Sequence, residues 1–245
     1  MLYLISLGLA DEKDMSLRAL GAAKKCAKLY AEFYTTNIST DAGKLSELIG
    51  REVVEIKRAD LEENSSKIIS QAKSMDIGIL AGGDALSATT HISLLLDAKK
   101  AGIKTKVIHG SSVFTAVAET GLQLYKFGAT TTVARPQKNY SPISFYDTIL
   151  GNKKKSLHSL ILLDIGMSVK EAVEILLESE KIRKGNVFGK AAKLVAACRL
   201  GLDGQLIKYG GLESLLTDDS FDKTPAVLIL PGKLHVIERE FLELL

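Results

Sequence analysis

Short apolar runs alternate with segments of helical spacing through the first half of the chain. After an apolar run at Leu2–Leu7, apolar residues recur every three or four positions across Ser16–Leu29, as on one face of a helix. A further helix is predicted over Ile92–Lys100. Four other runs have the length of β-strands: Ala31–Tyr34, Glu52–Ile56, Ile77–Leu80 and Lys104–Ile108. This alternation predicts βαβ units and a mostly parallel sheet.

The alternation breaks at Arg135–Pro142, where two of the chain's four prolines lie among polar and aromatic residues. Such a composition is typical of a linker or a long functional loop. Strands predominate over long helices after it: Leu157–Ile165, Leu194–Cys198, Leu206–Tyr209 and Ala226–Leu230. We therefore expect an N-terminal α/β domain with a parallel sheet at residues 1–133 and a C-terminal α+β domain at residues 134–245.

Two helix starts can be predicted from local sequence. Ser168 and Glu171 form an S-x-x-E pattern, in which each side chain is expected to bond a backbone N–H of the other residue. This capping box predicts a helix that runs to about Lys181. A second helix is expected from Val113 to Gly121.

Composition places the chain among ordinary globular proteins. Hydrophobic residues make up 46% and charged residues 25%, and the net charge is +3, so the overall charge gives no reason to expect nucleic-acid or membrane binding. No apolar stretch has the length needed to cross a bilayer, and the chain opens directly on the strand-like Leu2–Ile5. With Cys26 and Cys198 as its only cysteines, a disulfide framework is not expected. We expect a cytoplasmic protein.

Polar residues of possible function follow two predicted strands. Gly82-Gly83-Asp84 comes after Ile77–Leu80, and His109–Ser112 comes after Lys104–Ile108. Open α/β sheets bind ligands at the carboxyl ends of their strands, so the pattern predicts one small-molecule cleft shared by both segments. The residues alone leave two roles open for Asp84, helix N-cap or contact with a cationic or hydroxyl-rich ligand. Likewise, His91 and His109 are either proton carriers or bonded to local backbone.

Motifs for several other chemistries are missing. Neither G-x-G-x-x-G nor G-x-x-x-x-G-K-[ST] occurs, which disfavours dinucleotide and P-loop sites. No G-x-S-x-G elbow is present for an acyl-transfer serine. None of the four histidines stands at ligand spacing from a cysteine or another histidine, so no bound metal is expected. A binding site built from backbone groups, small hydroxyls and one carboxylate remains.

Several segments, in order along the chain, resemble the diphthine synthases. Gly83–His91 is similar to the segment G-D-P-L-x-A-T-T-H of that family, and Leu7–Asp14 is similar to its opening G-L-G-L-x-D-x-x-D. Further matches cover most of the rest of the chain: His109–Ser112, Glu119–Gly128, Ser144–Asp147, Leu157–Leu160, Leu163–Ile165 and Pro231–His235. An ordered series of this kind is far more specific than a single motif.

The resemblance implies a class III methyltransferase of the tetrapyrrole methylase fold, with S-adenosylmethionine in a cleft between two α/β domains and a homodimeric assembly. It implies successive N-methylation of translation elongation factor 2, at the amino group of a 3-carboxy-3-aminopropyl arm on a modified histidine. No general base is assigned. The residues that match the family's cofactor contacts are Leu9, Asp84, Ser87, Ser112, Val113, Leu163, Leu200 and Ala226.

The chain departs from the family pattern at three positions near that expected pocket. Ala85 replaces the proline after the aspartate, Ser87 replaces an apolar residue, and Ser6 replaces the first glycine of the opening motif. Two alternatives therefore stay open: a tetrapyrrole (precorrin-type) methyltransferase, and a non-catalytic binding protein of the same fold. The basic loop Pro136–Tyr140 and the run Lys153–Lys155 are candidate contacts for a protein substrate or, alternatively, solvated loops.

Overall fold

The chain consists of two compact units, Met1–Phe114 and Thr115–Leu245. The computed structural model describes residues 1–138 and 140–245. The division falls ahead of the 133/134 boundary expected from the sequence. It does so because Thr131–Val133 pairs with Ser159–Leu163, which places this strand in the sheet of the second unit.

The first unit is a parallel sheet with connecting helices. Its strands are β1 (Leu2–Ser6), β2 (Lys28–Glu32), β3 (Val53–Glu55), β4 (Ile77–Ala81) and β5 (Thr105–Ile108). Its helices are α1 (Leu17–Ala23), α2 (Ala42–Ile49), α3 (Arg58–Glu62), α4 (Ser65–Ala72) and α5 (Ile92–Lys100). The strands lie in the order β3-β2-β4-β1-β5, and each neighbouring pair is parallel. The predicted parallel sheet is confirmed, and α5 has its predicted bounds.

The sequence-based bounds of α1 and β2 were wrong. The helix ends at Ala23 instead of continuing to Leu29, and the strand covers Lys28–Glu32 instead of Ala31–Tyr34. Leu29 is buried and lies in a strand that pairs on one side with β3 and on the other with β4. These long-range pairings outweigh a local spacing that suits either element.

Helix α6 (Val113–Ala116) spans the division between the units. The predicted helix from Val113 to Gly121 is therefore only partly α-helical. A 3₁₀ segment, Val117–Thr120, completes it, and Gly121 ends it in the left-handed region with φ +80°, where a residue without a side chain is favoured.

The second unit contains a mixed sheet. Its strands are β6 (Thr131–Val133), β7 (Ser159–Leu163), β8 (Lys193–Cys198), β9 (Leu206–Gly211) and β10 (Ala226–Leu230). Its remaining helices are α7 (Ser144–Lys154), α8 (Val169–Arg183), α9 (Leu212–Leu216) and α10 (Val236–Leu242). The strand order is β6-β7-β10-β8-β9; β6 and β7 are parallel, and the other neighbours are antiparallel.

Two local expectations in this unit need correction. The Ser168 hydroxyl caps α8 by accepting a bond from the Glu171 N–H, but the Glu171 carboxylate pairs with Arg135 instead of completing the box. Lys153 and Lys154 form the last turn of α7 and not a loop. The helix dipole stabilises cations in the last turn of a helix. No helix within the described ranges combines the length and apolarity needed to cross a membrane.

Candidate functional site

The loop after β1 is shaped by the two aspartates of the opening motif. Asp14 Oδ2 accepts hydrogen bonds from the N–H groups of Leu9 and Ala10, at 2.9 and 2.8 Å. Asp11 caps the short 3₁₀ turn that follows by accepting from the Lys13 N–H. Leu9 is thereby held partly buried beside the end of β1.

Glycines allow the ends of β1, β4 and β5 to approach closely. The Gly8 N–H donates to the Gly83 carbonyl at 3.1 Å, and the Gly83 N–H donates to the Gly8 carbonyl at 2.7 Å. A β-carbon at Gly110 would lie 2.8 Å from the Ser6 β-carbon, so a side chain there would push the strand ends apart. Gly83 has φ +65°, and no heavy atom of the described chain lies within 4 Å of where its side chain would begin. A ligand can therefore approach this backbone.

Asp84 connects the ends of β4 and β5. Its Oδ2 accepts from His109 Nδ1 at 2.8 Å and from the Gly110 N–H at 3.2 Å. Its Oδ1 accepts from the Leu86 N–H at 3.0 Å. The N-cap alternative is excluded because α5 begins at Ile92, with His91 in the capping position. The shared edge predicted for these two segments is therefore held together by this carboxylate.

The charge of Asp84 is stabilised by these bonds. Burial raises the pKa of the carboxyl, but the N–H donors of Leu86 and Gly110 and the His109 ring outweigh burial and hold the pKa below its ordinary value. The His109 side chain is 71% exposed. It therefore offers its other ring edge to solvent or to a ligand beside Asp84.

The other predicted residues of the first unit lie in the same loops. The Ser87 N–H donates to the Asp84 carbonyl at 2.9 Å, and its hydroxyl lies 3.4 Å from Asp84 Oδ1. Ser112 is buried, and its hydroxyl accepts from the Phe114 N–H at 3.3 Å. Val113, which begins α6, is partly buried. The structure thus brings Leu9, Asp84, Ser87, Ser112 and Val113 to one edge of the sheet.

Two of the three departures from the family pattern complement each other. Ser6 Oγ accepts a hydrogen bond from the Ala85 N–H at 3.0 Å, and both residues are buried. The family pattern has glycine and proline at these positions, a pair with neither this hydroxyl nor this N–H. The serine therefore satisfies the donor that replacing proline by alanine creates.

His91 supports the same loop from inside the fold. Its side chain is 2% exposed, and its Nδ1 lies 2.9 Å from the Ala85 carbonyl. Because a carbonyl can only accept, this nitrogen carries the proton. Of the two roles left open by the sequence, bonding to local backbone is therefore the one that the structure supports.

The three predicted residues of the second unit also lie at one edge of their own sheet. Ala226 begins β10 and pairs with Cys198, the last residue of β8. Since Val227 pairs with Leu162, Leu163 is the next residue opposite Ala226. Leu200 lies two positions after Cys198 and is 5% exposed.

The candidate contacts for a protein substrate are less well defined. Within Pro136–Tyr140, the backbones of Gln137 and Tyr140 bond to each other at 2.8 and 2.9 Å, and Asn139 lies outside the described residues.

Among the residues that the structure describes, no group of three histidine, cysteine, aspartate or glutamate side chains is arranged to hold a metal ion.

Comparison with known proteins supports the expected family. The family model of the tetrapyrrole (corrin/porphyrin) methylases matches residues 1–215. The chain is 41% identical to the diphthine synthase of Methanocaldococcus jannaschii, over 100% of this chain and 98% of that protein. It is 37% identical to the diphthine methyl ester synthase of Schizosaccharomyces pombe, over 99% and 93%.

A solved structure agrees with these relatives. A crystal structure of a diphthine synthase superposes with a TM-score of 0.89 at 35% identity, and the match covers 99% of this chain and 94% of that one. The chain therefore belongs to the tetrapyrrole methylase family and, within it, to the diphthine synthases, which are methyltransferases.

Proposed function

We propose that this protein transfers methyl groups from S-adenosylmethionine to the amino group of the 3-carboxy-3-aminopropyl arm on a histidine of translation elongation factor 2. The observation that carries the proposal is the junction of β1, β4 and β5. There, Asp84 holds two loops together beside an open glycine backbone, in a chain of the diphthine synthase family.

The residues at this junction fit an adenosyl ligand. Leu9 and Val113 are partly buried apolar side chains, which suit the faces of an adenine ring. Asp84 and the exposed His109 supply polar groups for ribose hydroxyls or an ammonium. We propose that Ser87 and Ser112 in these loops also contact the cofactor. In the second unit, we propose that Leu163, Leu200 and Ala226 contact it.

Little chemistry is required of the side chains in this reaction. When bound, S-adenosylmethionine supplies a methyl group already activated on a sulfonium, so that a C–N bond forms as the C–S bond breaks, S-adenosylhomocysteine leaves and the amine's proton passes to solvent. The task of the protein is to align the acceptor and exclude water, which is catalysis by orientation. This task matches a site built from backbone, apolar contacts and one structured carboxylate.

Ester formation is a second candidate for the same site. The fission yeast relative is named a diphthine methyl ester synthase, and an ester forms when a carboxylate accepts the methyl group. Methylated product from this protein is therefore to be treated with mild base, which cleaves a methyl ester and leaves an N-methyl group intact.

The proposal also includes assembly and location. We propose a homodimer acting in the cytoplasm, on the basis of the family resemblance, and no direct contact with nucleic acid, on the basis of the net charge of +3. Sedimentation equilibrium of the purified protein tests the assembly. A monomer at micromolar concentration would contradict this part of the proposal.

Titration calorimetry with S-adenosylhomocysteine tests the cofactor site. We expect the wild-type protein to bind with a micromolar-range Kd, about −8 kcal/mol. Asp84→Ala should weaken binding about tenfold or more, since the substitution releases the loops that the carboxylate joins. Glu47→Ala removes an exposed carboxylate on α2 and is the matched control, with no change in Kd expected.

Methyl transfer from labelled cofactor to prepared elongation factor 2 tests the reaction. Binding without transfer would favour a non-catalytic binding protein. Transfer to a corrin-like compound, seen by a change in its absorbance, would favour the tetrapyrrole alternative. Absence of S-adenosylhomocysteine binding by the wild-type protein would refute the proposed methyltransferase site.

A further inference from the structure

The loop after β8 carries an arginine that is both strained and lacking a partner. Arg199 has φ +55°, in the left-handed region that L residues with side chains rarely adopt. Its Nε is buried and has no hydrogen-bond partner in the described chain. Among residues 1–138 and 140–245, the non-glycine residues with positive φ are Ala88, Ser156, Lys184, Asn186 and Arg199. Within the described ranges, only Arg199 among them also has a buried side-chain atom without a partner.

Neighbouring bonds hold the Arg199 backbone in this conformation. Its N–H donates to the Pro225 carbonyl at 2.7 Å, and its carbonyl accepts from the Leu202 N–H at 2.9 Å. The turn is closed by Gln205, whose side chain accepts from the Gly201 N–H at 2.8 Å. A strained residue persists only where its surroundings fix it in this way, and such residues concentrate at ligand sites.

Arg135, in the same unit, shows how an arginine is satisfied within this protein. Its Nε and Nη2 bond the two oxygens of Glu171 at 2.7 and 3.0 Å, and its Nη1 bonds the Ile165 carbonyl at 2.8 Å. Among the described residues, no ion pair or side-chain hydrogen bond of this kind forms at Arg199. A buried guanidinium N–H without an acceptor is costly. An acceptor from outside the chain would remove this cost.

The chemistry of that acceptor follows from the guanidinium group. Its planar fork of N–H donors matches the two oxygens of a carboxylate. Arg199 is flanked by Cys198 and Leu200 in sequence. Cys198 pairs with Ala226 across the sheet, and both Leu200 and Ala226 are proposed cofactor contacts. Arg199 as a whole is partly buried although its Nε is buried, so a carboxylate bound to its exposed part would be shielded from competing water.

We propose that Arg199 binds a carboxylate of the methyl-transfer reaction. This inference rests on the proposed function, in which two carboxylates are available: that of the methionyl part of the cofactor and that of the acceptor arm. Both present the same group to the guanidinium. The two sources are separated by the measurements below.

The first measurement uses the wild-type protein. Binding of S-adenosylhomocysteine by calorimetry and methyl transfer to prepared elongation factor 2 are measured first, so that the proposed function is tested before any variant is compared. If both fail, the proposed function is refuted independently of Arg199. If both succeed, the variants test this residue alone.

Arg199→Gln removes the charge and the fork. The comparison uses S-adenosylhomocysteine and its decarboxylated analogue, which differ only in the carboxylate. If the cofactor carboxylate is the ligand, the Kd of S-adenosylhomocysteine rises about 10- to 100-fold, and the Kd of the analogue is unchanged. If the acceptor carboxylate is the ligand, both Kd values are unchanged and the KM for elongation factor 2 rises by a similar factor.

Two further variants separate binding from folding. Arg199→Lys keeps the charge and should restore part of the lost affinity, and it repeats the comparison if Arg199→Gln does not fold. Arg239→Gln removes an exposed arginine of the same unit and should change neither constant. Equal weakening of both cofactor analogues would show a purely structural role and overturn the proposal, as would a folded Arg199→Gln protein with wild-type Kd and KM.

Discussion

Each unit buries one glutamate against one histidine, but the two pairs are satisfied to different extents. In the second unit, His158 Nε2 lies 3.0 Å from Glu238, and both side chains are 0% exposed. In the first unit, His91 Nε2 lies 3.7 Å from Glu32, with side chains 2% and 0% exposed. The same two residue types therefore form one hydrogen-bonded pair and one pair that is only adjacent.

The pair in the second unit is part of a saturated network. Glu238 accepts bonds from Lys126 Nζ, from His158, and from the N–H groups of Gln123 and His235. His158 Nδ1 accepts from the Gly232 N–H at 2.8 Å, so this ring is neutral and both of its nitrogens are bonded. Fully bonded buried networks stabilise one arrangement of the chain, and this one ties α10 to the segment before β7.

The pair in the first unit has unused capacity. Glu32 accepts bonds from the backbone N–H groups of Tyr34 and Thr35 and from the Thr35 hydroxyl. In the described chain, however, His91 Nε2 and the Tyr34 hydroxyl are buried without a partner. The bonded nitrogen of His91 holds Ala85, next to Asp84. The comparison indicates that the unsaturated pair lies beside the candidate site, while the saturated pair serves the fold.

The strongest test of this contrast is to remove each glutamate. Glu238→Ala leaves Lys126, His158 and two backbone donors without their buried partner, so we expect the free energy of unfolding to fall by about 3–5 kcal/mol. Glu32→Ala should cost less, about 1–2 kcal/mol, because its bonds are to neighbouring residues only. Urea unfolding of both variants, with exposed Glu240→Ala as control, measures the difference. Equal losses would contradict the assignment of different roles.

A smaller effect is expected from acid. Burial lowers the pKa of His158 below its ordinary 6.5 despite the nearby Glu238, so the unfolded chain binds a proton more readily than the native protein. Stability should therefore fall as the pH drops through about 6.5, the pKa of a histidine in the unfolded chain, and continue to fall below it until the native ring is protonated. Burial raises the pKa of Glu238, but its bonds outweigh burial and bring the pKa to about 2. This carboxylate therefore loses its contribution only at lower pH.

Urea midpoints measured across that pH range provide the check. In His158→Gln, the titrating ring is gone, and the slope of stability against pH should be shallower than in the wild-type protein. An unchanged slope would show that another group is responsible.

The smallest expected effect concerns Ala85, whose carbonyl is bonded by His91 and whose N–H donates to Ser6. Ser6→Gly leaves the buried Ala85 N–H without an acceptor and should cost about 1–2 kcal/mol. Adding Ala85→Pro removes that donor, so the double variant should recover about 1 kcal/mol relative to additivity. A thermodynamic cycle of the four proteins by urea unfolding measures this coupling. Additive losses would mean that the bond contributes nothing.

Much of the fold follows from patterns that are local in sequence. The run at Ile77–Leu80 and the helix Ile92–Lys100 match β4 and α5 closely, since β4 is a fully buried apolar run and α5 buries one face, with Leu94, Leu95 and Ala98. β2 was misplaced because its position depends on pairing with β3 and β4. Local spacing contains no information about those partners.

The candidate site was predictable in part for the same reason. Strand ends with Gly83 and Asp84 indicate a ligand-binding edge from sequence alone. By contrast, the hydrogen bond that His109 donates to Asp84 joins residues 25 positions apart, and that between Ala85 and Ser6 spans 79. Arg199 also gave no signal, because a left-handed φ and an unpartnered nitrogen are visible only in three dimensions.

The Ser6–Ala85 bond restricts the order in which the two positions can change over evolutionary time. Starting from glycine and proline, replacing proline by alanine first creates a buried N–H donor that has no acceptor. Replacing glycine by serine first adds only a hydroxyl. The serine-first route avoids the costlier intermediate. Lineages carrying alanine after the aspartate should therefore carry a hydroxyl residue at the end of the first strand, so the two positions covary although they are 79 residues apart.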